Sequence, residues 1–279
     1  MRIIMCSVAA IALSGCSWMG FGSGTNGSHG SYSPSASTKC CVGGDTLSTW
    51  NLEGAIGKEF IVGGDALTGS QAHTGFSSPT NALVDVSMKD AYSNGKRASL
   101  GGSYALNPNR KVSLQGFYSK ASGNEVVFGS QGGQDITGTM SDYKSYGVEA
   151  GLRQYFKPRN IPLLKSFRPY VEGRLGAAHV DDISLNGISQ TVATSLNTPT
   201  SLAVYQGGWV PTATGLIGVE TPVFKRMTLG LETGVQFTGK LKSDDSDKAA
   251  GTFNSRYAGF NNGGGRVVVP LTLRGRYRF

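Results

Sequence analysis

The C-terminal segment Arg266 to Phe279 constrains the fold more than any other stretch of the chain. Its odd positions are Val267, Val269, Leu271, Leu273, Gly275, Tyr277 and Phe279. Its even positions are Arg266, Val268, Pro270, Thr272, Arg274, Arg276 and Arg278. A period of two sends these sets to opposite faces of a β-strand. One face is apolar and ends in two aromatic rings, while the other carries guanidinium groups. A soluble sheet with one wet face also alternates. The aromatic end on the apolar face points instead to a strand that meets lipid on that side.

Seven further segments between Trp50 and Thr238 follow the same rule. Tyr146, Val148, Ala150 and Leu152 alternate with Ser145, Gly147, Glu149, Gly151 and Arg153. Val171, Gly173, Leu175 and Ala177 alternate with Tyr170, Glu172, Arg174 and Gly176. Met227, Leu229, Leu231, Val235 and Phe237 alternate with Thr228, Gly230, Glu232, Gly234 and Gln236. Ala98, Leu100, Gly102, Tyr104 and Leu106 face away from Arg97, Ser99, Gly101 and Ser103, and Val112, Leu114 and Tyr118 from Ser113 and Gln115. The segments from Trp50 to Val62 and from Trp209 to Thr221 alternate less cleanly. Transmembrane strands need about 9–11 residues to cross the hydrocarbon, and these segments are long enough.

The connections differ in length in an ordered way. Asn107-Pro108-Asn109, Lys157 to Lys165 and Pro222 to Arg226 are short, and the first carries turn-forming residues. Gly63 to Ser93, Ala121 to Ser141, Asp182 to Tyr205 and Gly239 to Gly264 are long and polar. Short turns at one end and long loops at the other are expected of an up-and-down antiparallel membrane barrel. With eight strands, both ends of the barrel segment fall on the short-turn side.

Composition fits this architecture and excludes others. With 41 glycines and only 16% charged residues, the chain lacks the Leu/Ala/Glu/Lys runs of a helical protein. The net charge of +8 raises the question of nucleic acid. The basic residues alternate with apolar ones and do not gather on a helix or tail, so no nucleic-acid partner is expected.

The N-terminal region has its own pattern. Ile3 to Leu13 is an apolar run behind Arg2, too short for a transmembrane helix of about 20 residues. It suits the hydrophobic part of a signal peptide covering residues 1–15. Leu13-Ser14-Gly15-Cys16 resembles a bacterial lipobox, which implies lipidation of Cys16. The alternative is ordinary cleavage nearby, and export is expected on both. Residues 16–49 are rich in Gly, Ser and Thr and read as a flexible periplasmic tether. Cys40 and Cys41 are adjacent and lack the second pair of ligands that a zinc site needs. They are expected to have no catalytic role, although a vicinal disulfide or a link to a periplasmic partner is open to them.

From Trp50 to Phe279 the chain resembles the eight-stranded outer-membrane barrel superfamily, the OmpA-like transmembrane class. The resemblance rests on strand number, alternation, loop asymmetry and the Phe279 terminus. It implies an outer-membrane location in a Gram-negative bacterium, with long loops outside and termini in the periplasm. It also implies that Tyr277 and Phe279 form the signal read by the barrel assembly machinery, and that outer-membrane lipid surrounds the strands. A periplasmic β-sandwich or soluble barrel on a lipid anchor is the competing fold.

In such a barrel the inward faces would carry Glu53, Glu149, Glu172, Glu220 and Glu232, together with Arg97, Arg153, Arg168, Arg174, Arg274, Arg276 and Arg278. An eight-stranded barrel is about wide enough for side chains to fill it, and buried charge must be paired. A salt-bridged plug is therefore expected. The competing reading is a narrow ion path with a basic selectivity element at Arg274, Arg276 and Arg278.

No catalytic residue, metal site or cofactor is assigned. Of the three histidines, His29, His73 and His179, the last lies near Asp181, Asp182 and Ser184. That grouping permits a hydrolytic triad on paper, but a rim histidine beside loop acids is the expected reading. Ser243-Asp244-Asp245-Ser246-Asp247 lacks the glycine and terminal Glu of a calcium loop. The expected function is a non-enzymatic barrel that displays long loops, in an envelope-structural or binding role such as adhesion. A small-solute channel and a lipid-modifying enzyme are the alternatives.

Overall fold

A computed structural model describes residues 50–71, 82–156, 166–188, 200–246 and 259–279. The signal peptide, Cys16, the tether, Cys40 and Cys41, His29, His73, Asp247 and the turn at 157–165 lie outside the described residues.

In chain order the strands are β1 (Trp50–Gly63), β2 (Asp65–Thr68), β3 (Ala82–Leu83), β4 (Asp85–Ser87), β5 (Gly95–Asn107), β6 (Arg110–Ala121), β7 (Glu125–Gln131) and β8 (Gln134–Met140). They continue with β9 (Tyr143–Tyr155), β10 (Arg168–Val180), β11 (Ile183–Asn186), β12 (Ser201–Gln206), β13 (Gly208–Phe224), β14 (Met227–Thr238), β15 (Lys242–Ser243) and β16 (Arg266–Arg278). Among the described residues a short α-helix, α1 (Met88–Ala91), follows β4 and is capped by Ser87, whose hydroxyl accepts from the Asp90 amide.

The long strands close into an antiparallel barrel in the order β1-β16-β14-β13-β10-β9-β6-β5. Closure is made by the last strand against the first, with Asn51 opposite Arg278 and Phe60 opposite Val269. All eight segments with period-two alternation are barrel strands. The two with weaker patterns are also placed: Trp50, Leu52, Ile56, Phe60 and Val62 face out from β1, and Trp209, Ile217 and Val219 from β13. Closure leaves no unpaired strand edge in the barrel, which a lipid environment requires.

The outer face is inverted relative to a soluble protein. Leu100, Leu114 and Leu175 expose more than 60% of their surface. Aromatic rings border this apolar zone. Trp50, Tyr104, Phe156, Phe224, Tyr277 and Phe279 lie at the turn end, and Tyr118, Tyr146 and Trp209 toward the other. Two such girdles around an apolar band mark a membrane-spanning barrel.

The long connections differ from the polar loops expected of them. Their apolar residues assemble a folded cap over one end of the barrel. A six-stranded sheet runs β15-β12-β11-β8-β7-β3, and β2 pairs with β4 beside it. The β7–β8 hairpin turns on Gly132 and Gly133, both at positive φ. Leu67, Met88, Phe128, Ile136, Leu185, Leu202 and Phe260 are buried in a core continuous with Ile61, Phe117, Val180 and Val268 at the barrel rim. Composition hid this cap because its strands are short and are contributed by connections far apart in sequence.

Candidate functional site: the plugged lumen and the cap

Every inward face of the barrel contributes polar groups, and they meet in one network. Six carboxylates (Glu53, Glu59, Glu149, Glu172, Glu220, Glu232) face six guanidiniums (Arg97, Arg153, Arg174, Arg266, Arg274, Arg276) in two ion-paired groups, of four residues toward the cap and eight below, which Gln115 joins by hydrogen bonds to Glu149 and Arg274. Arg153 is the hub. Its Nη2 lies 2.9 Å from Glu53 and 2.8 Å from Glu172, and its Nη1 lies 3.1 Å from Glu220. The register explains part of this, since Arg153 on β9 sits directly opposite Glu172 on β10. The rest comes from side chains that reach across the lumen.

Around this hub, Arg174 binds Glu172 at 2.9 Å and Glu232 at 3.3 Å. Arg274 binds Glu232 at 2.8 Å and Glu53 at 3.1 Å. Toward the turn end, Arg276 pairs with Glu220 at 2.8 Å and donates to the Tyr155 hydroxyl, which in turn donates to Glu220. Toward the cap, Arg97 pairs with Glu149 at 2.8 Å and with Glu59 at 3.4 Å, and Arg266 also pairs with Glu59. Neutral donors complete the carboxylates. Ser103 donates to Glu53, Ser113 to Glu172, Ser119 to Glu59, Gln115 to Glu149 and Tyr170 to Glu232.

Small residues make room for these groups. A Cβ on Gly151 would lie 2.7 Å from the Ser113 hydroxyl, 2.8 Å from Arg174 and 2.9 Å from Glu172. A cavity of about 10 Å³ within the network is lined by Arg97, Arg174, Glu232 and Arg274, enough for about one water. Toward the cap, apolar side chains interleave with the ions, and the Glu59–Arg266 pair lies beyond Phe117. Phe117 stacks on Arg97, whose guanidinium lies 3.8 Å from the ring centroid. Beyond it, Val210 and Val268 join the core of the cap.

The structure brings Glu149, Arg153, Glu172, Arg174, Glu232, Arg274 and Arg276 together, with Glu53, Glu220 and Arg97. Arg278 stands apart, donating to the Lys225 carbonyl at 3.1 Å. Arg168 likewise stays at the turn end, where it donates to the Pro108 carbonyl and lies over Tyr155. Arg274, Arg276 and Arg278 therefore do not form one basic element. Glu59 and Lys111 are inward charges that the sequence reading omits, and Arg266, on the even face of the last strand, joins them. The signal was present, because all three hold the inward phase of their strands. Tyr277 and Phe279 pack edge to face on the outer surface, with centroids 5.5 Å apart.

The histidine constellation separates. His179 faces outward, stacked on Tyr146 at 5.1 Å, with its Nδ1 3.9 Å from Asp181. Ser184 belongs to the cap sheet, where its hydroxyl accepts from Asn186 and its amide donates to Ser141. Asp182 accepts from the Gly207 amide.

The four connections that form the cap are hydrogen-bonded to one another. The Thr68 amide donates to Phe260, the Val84 amide to Phe128 and the Ser141 amide to Ser184. The Tyr205 hydroxyl reaches the Ala66 carbonyl at 2.8 Å, and Asn261 reaches the Val204 carbonyl at 2.8 Å. Burial holds the phenols of Tyr92 and Tyr205 above their ordinary values, so both remain neutral, and Tyr205 keeps the proton it donates to Ala66.

No protein-family model and no curated protein matches the sequence. Among solved structures, the chain is similar to Neisserial surface protein A, at 12% identity over 83% of this chain and 97% of that one, with a TM-score of 0.41. It is also similar to Ail, the attachment invasion locus protein of Yersinia pestis (14% identity, 82% and 99% coverage, TM-score 0.36). A third is the N-terminal β-barrel domain of Pseudomonas aeruginosa OprF (10% identity, 82% and 98% coverage, TM-score 0.34). These likenesses concern the fold alone. By its own geometry the chain is an eight-stranded antiparallel barrel with an ion-paired lumen and a folded cap.

Proposed function

We propose that this chain is an outer-membrane protein of a Gram-negative bacterium that presents its cap at the cell surface for binding, in adhesion or in support of the envelope, without catalysis. The supporting observation is the filled interior. Six ion-paired carboxylates and an apolar layer occupy the space through which a solute would pass. Cutting an opening would strand buried charges, which is costly. What the molecule offers its surroundings is then the cap. On the same reading Cys16 carries a lipid, Tyr277 and Phe279 address the assembly machinery, and the ends of the chain lie in the periplasm.

Two measurements test this reading. Purified protein in a planar bilayer is expected to give no discrete conductance, and steady single-channel steps would establish the small-solute channel instead. Cells displaying the intact protein should adhere to a host-cell or matrix surface. Cells displaying a barrel with all four connections shortened to turns should not. Equal adhesion by both overturns the binding role. A lipid-modifying activity would show as a changed lipid A profile that reverts in His179→Ala.

A further inference from the structure

Three rows of outward side chains lie one above another toward the cap end of the barrel. In the first, Gly54, Leu100, Gly116, Val148 and Ala177 pair across β1, β5, β6, β9 and β10. Two residues nearer the cap, Ile56, Ala98, Tyr118, Tyr146, His179 and Trp209 pair in the same way, extending onto β13. Two residues nearer again, Lys58 is opposite Lys96, Lys96 opposite Lys120, and Lys120 opposite Lys144. On β6 and β9 the order toward the cap is small or aliphatic, then aromatic, then cationic, while on β1 and β5 aliphatic residues, Ile56 and Ala98, precede the lysines.

Four lysines side by side work against the sheet. Directly opposed residues have Cα atoms about 4.5–5.5 Å apart, and like charges so placed are destabilising. Acidic residues compensate only part of the row. Asp142 pairs with Lys120 at 2.7 Å, and Asp181 ends the row beside Lys144, its amide donating to the Lys144 carbonyl. Among the described residues, Lys58 and Lys96 have no ion-pair partner. The row therefore carries unbalanced positive charge that an anion from outside the chain would offset.

The neighbouring rows identify where that anion comes from. The sequence of hydrocarbon, aromatic and cationic surface is the sequence a bilayer presents from its acyl chains to its headgroups. Phe60 and Val62 continue the apolar face beyond Lys58. Lys58 thus stands within the apolar belt, where a lysine stem can lie along the surface while its ammonium reaches the interface.

We propose that the Lys58–Lys96–Lys120–Lys144 row is a binding site for a phosphate-bearing lipid headgroup in the leaflet at the cap end. The phosphates sit among the lysines, the headgroup lies against Tyr118 and Tyr146, and the acyl chains run along the aliphatic row. This rests on the reading of the chain as a membrane barrel, and it adds one lipid class and one face of the barrel.

The test uses the full-length protein and a triple variant, Lys58→Gln/Lys96→Gln/Lys144→Gln, with Lys120 left to Asp142. Insertion of both into phosphatidylcholine vesicles, followed by a heat-modifiability gel, establishes the barrel first. Failure of the wild type to insert defeats the membrane reading itself. Binding of bisphosphorylated lipid A, its dephosphorylated form and inorganic phosphate is then titrated by native mass spectrometry from detergent. The wild type should prefer the phosphorylated lipid, and the triple variant should bind it about tenfold or more weakly. The matching Lys→Arg triple should retain the preference. An inserted barrel with no preference, or a preference unchanged in the glutamine triple, overturns the site. So does full competition by inorganic phosphate or by a soluble sulfated glycan at equal concentration, since the site would then be a general polyanion surface.

Discussion

The barrel and the cap are both well filled, and they are filled with opposite chemistry. In the barrel the most deeply buried side chains include Glu59, Glu149 and Arg153, while in the cap they include Leu67, Met88 and Leu185. The difference follows from what lies outside each. The cap faces water, so apolar side chains turn inward and leave it. The barrel faces lipid, so its apolar side chains are placed on the outer face. The inward positions then hold polar groups that must satisfy one another. One chain thus obeys two patterning rules, and the change falls at the barrel rim. There Phe117, Val180, Val210 and Val268 turn inward on the same strands that carry charges lower down.

The sharpest way to break this comparison is to remove the hub of the ionic interior. Arg153→Ala leaves Glu53, Glu172 and Glu220 short of a shared partner. It should cost about 3–5 kcal/mol in urea unfolding from lipid vesicles. A loss below about 1 kcal/mol would mean that the network tolerates unpaired charge by admitting water.

Next in size is a probe of the two exteriors. Leu175 and Val84 are both exposed, the first on the barrel and the second on the cap. Leu175→Arg should destabilise the inserted barrel by about 2–4 kcal/mol, whereas Val84→Arg should stay within about 0.5 kcal/mol. Equal effects in the same unfolding assay would erase the distinction between a lipid-facing and a water-facing surface.

A smaller effect tests the unity of the cap. Tyr205→Phe removes the donor to the Ala66 carbonyl and should cost about 1 kcal/mol. Hydrogen exchange should quicken across β2, β4 and β12 while barrel amides stay protected. Faster exchange confined to β12 would show that the connections behave as separate loops.

The smallest effect concerns an exposed rim acid. The hydrogen bond from Lys120 holds the Asp142 carboxyl below its ordinary value. Its contribution is therefore present above the ordinary carboxylate range and lost as pH falls through the lowered value, below about pH 4. Asp142→Asn should flatten that acid limb slightly and leave stability at neutral pH nearly unchanged, as pH-dependent unfolding can measure.

The sequence exposes the barrel far better than the cap, for a physical reason. Barrel strands run 12–17 residues, and period-two patterning over that length stands out against chance. Cap strands such as β3 and β15 have two residues each, too few to show any period. The apolar residues of the cap look isolated among glycines and serines until the fold gathers them. The lumen was legible in phase but less so in partnership. Inward direction follows from parity, so Glu149, Arg153, Glu172 and Arg174 were readable. Which ion meets which depends on strand stagger and reach across the lumen. Arg278 shares the parity of Arg274 but lies at the strand end, beside the Lys225 turn. His179 is the rim histidine beside Asp181 that the sequence suggests, and Ser184, five residues on, lies across the boundary between a barrel strand and a cap strand.

The cap sheet also says something about inheritance and assembly. Its strands come from four separate excursions of the chain: β3 from the first, β7 and β8 from the second, β11 and β12 from the third, β15 from the fourth. The hydrogen bond from Thr68 to Phe260 spans 192 residues. No contiguous stretch of gene encodes this unit, so it cannot be expressed alone or exchanged by a single recombination. Its formation requires all four excursions to be brought together, which makes its contacts long-range ones. Its surface can therefore diversify only by point changes and small insertions that leave the common core intact.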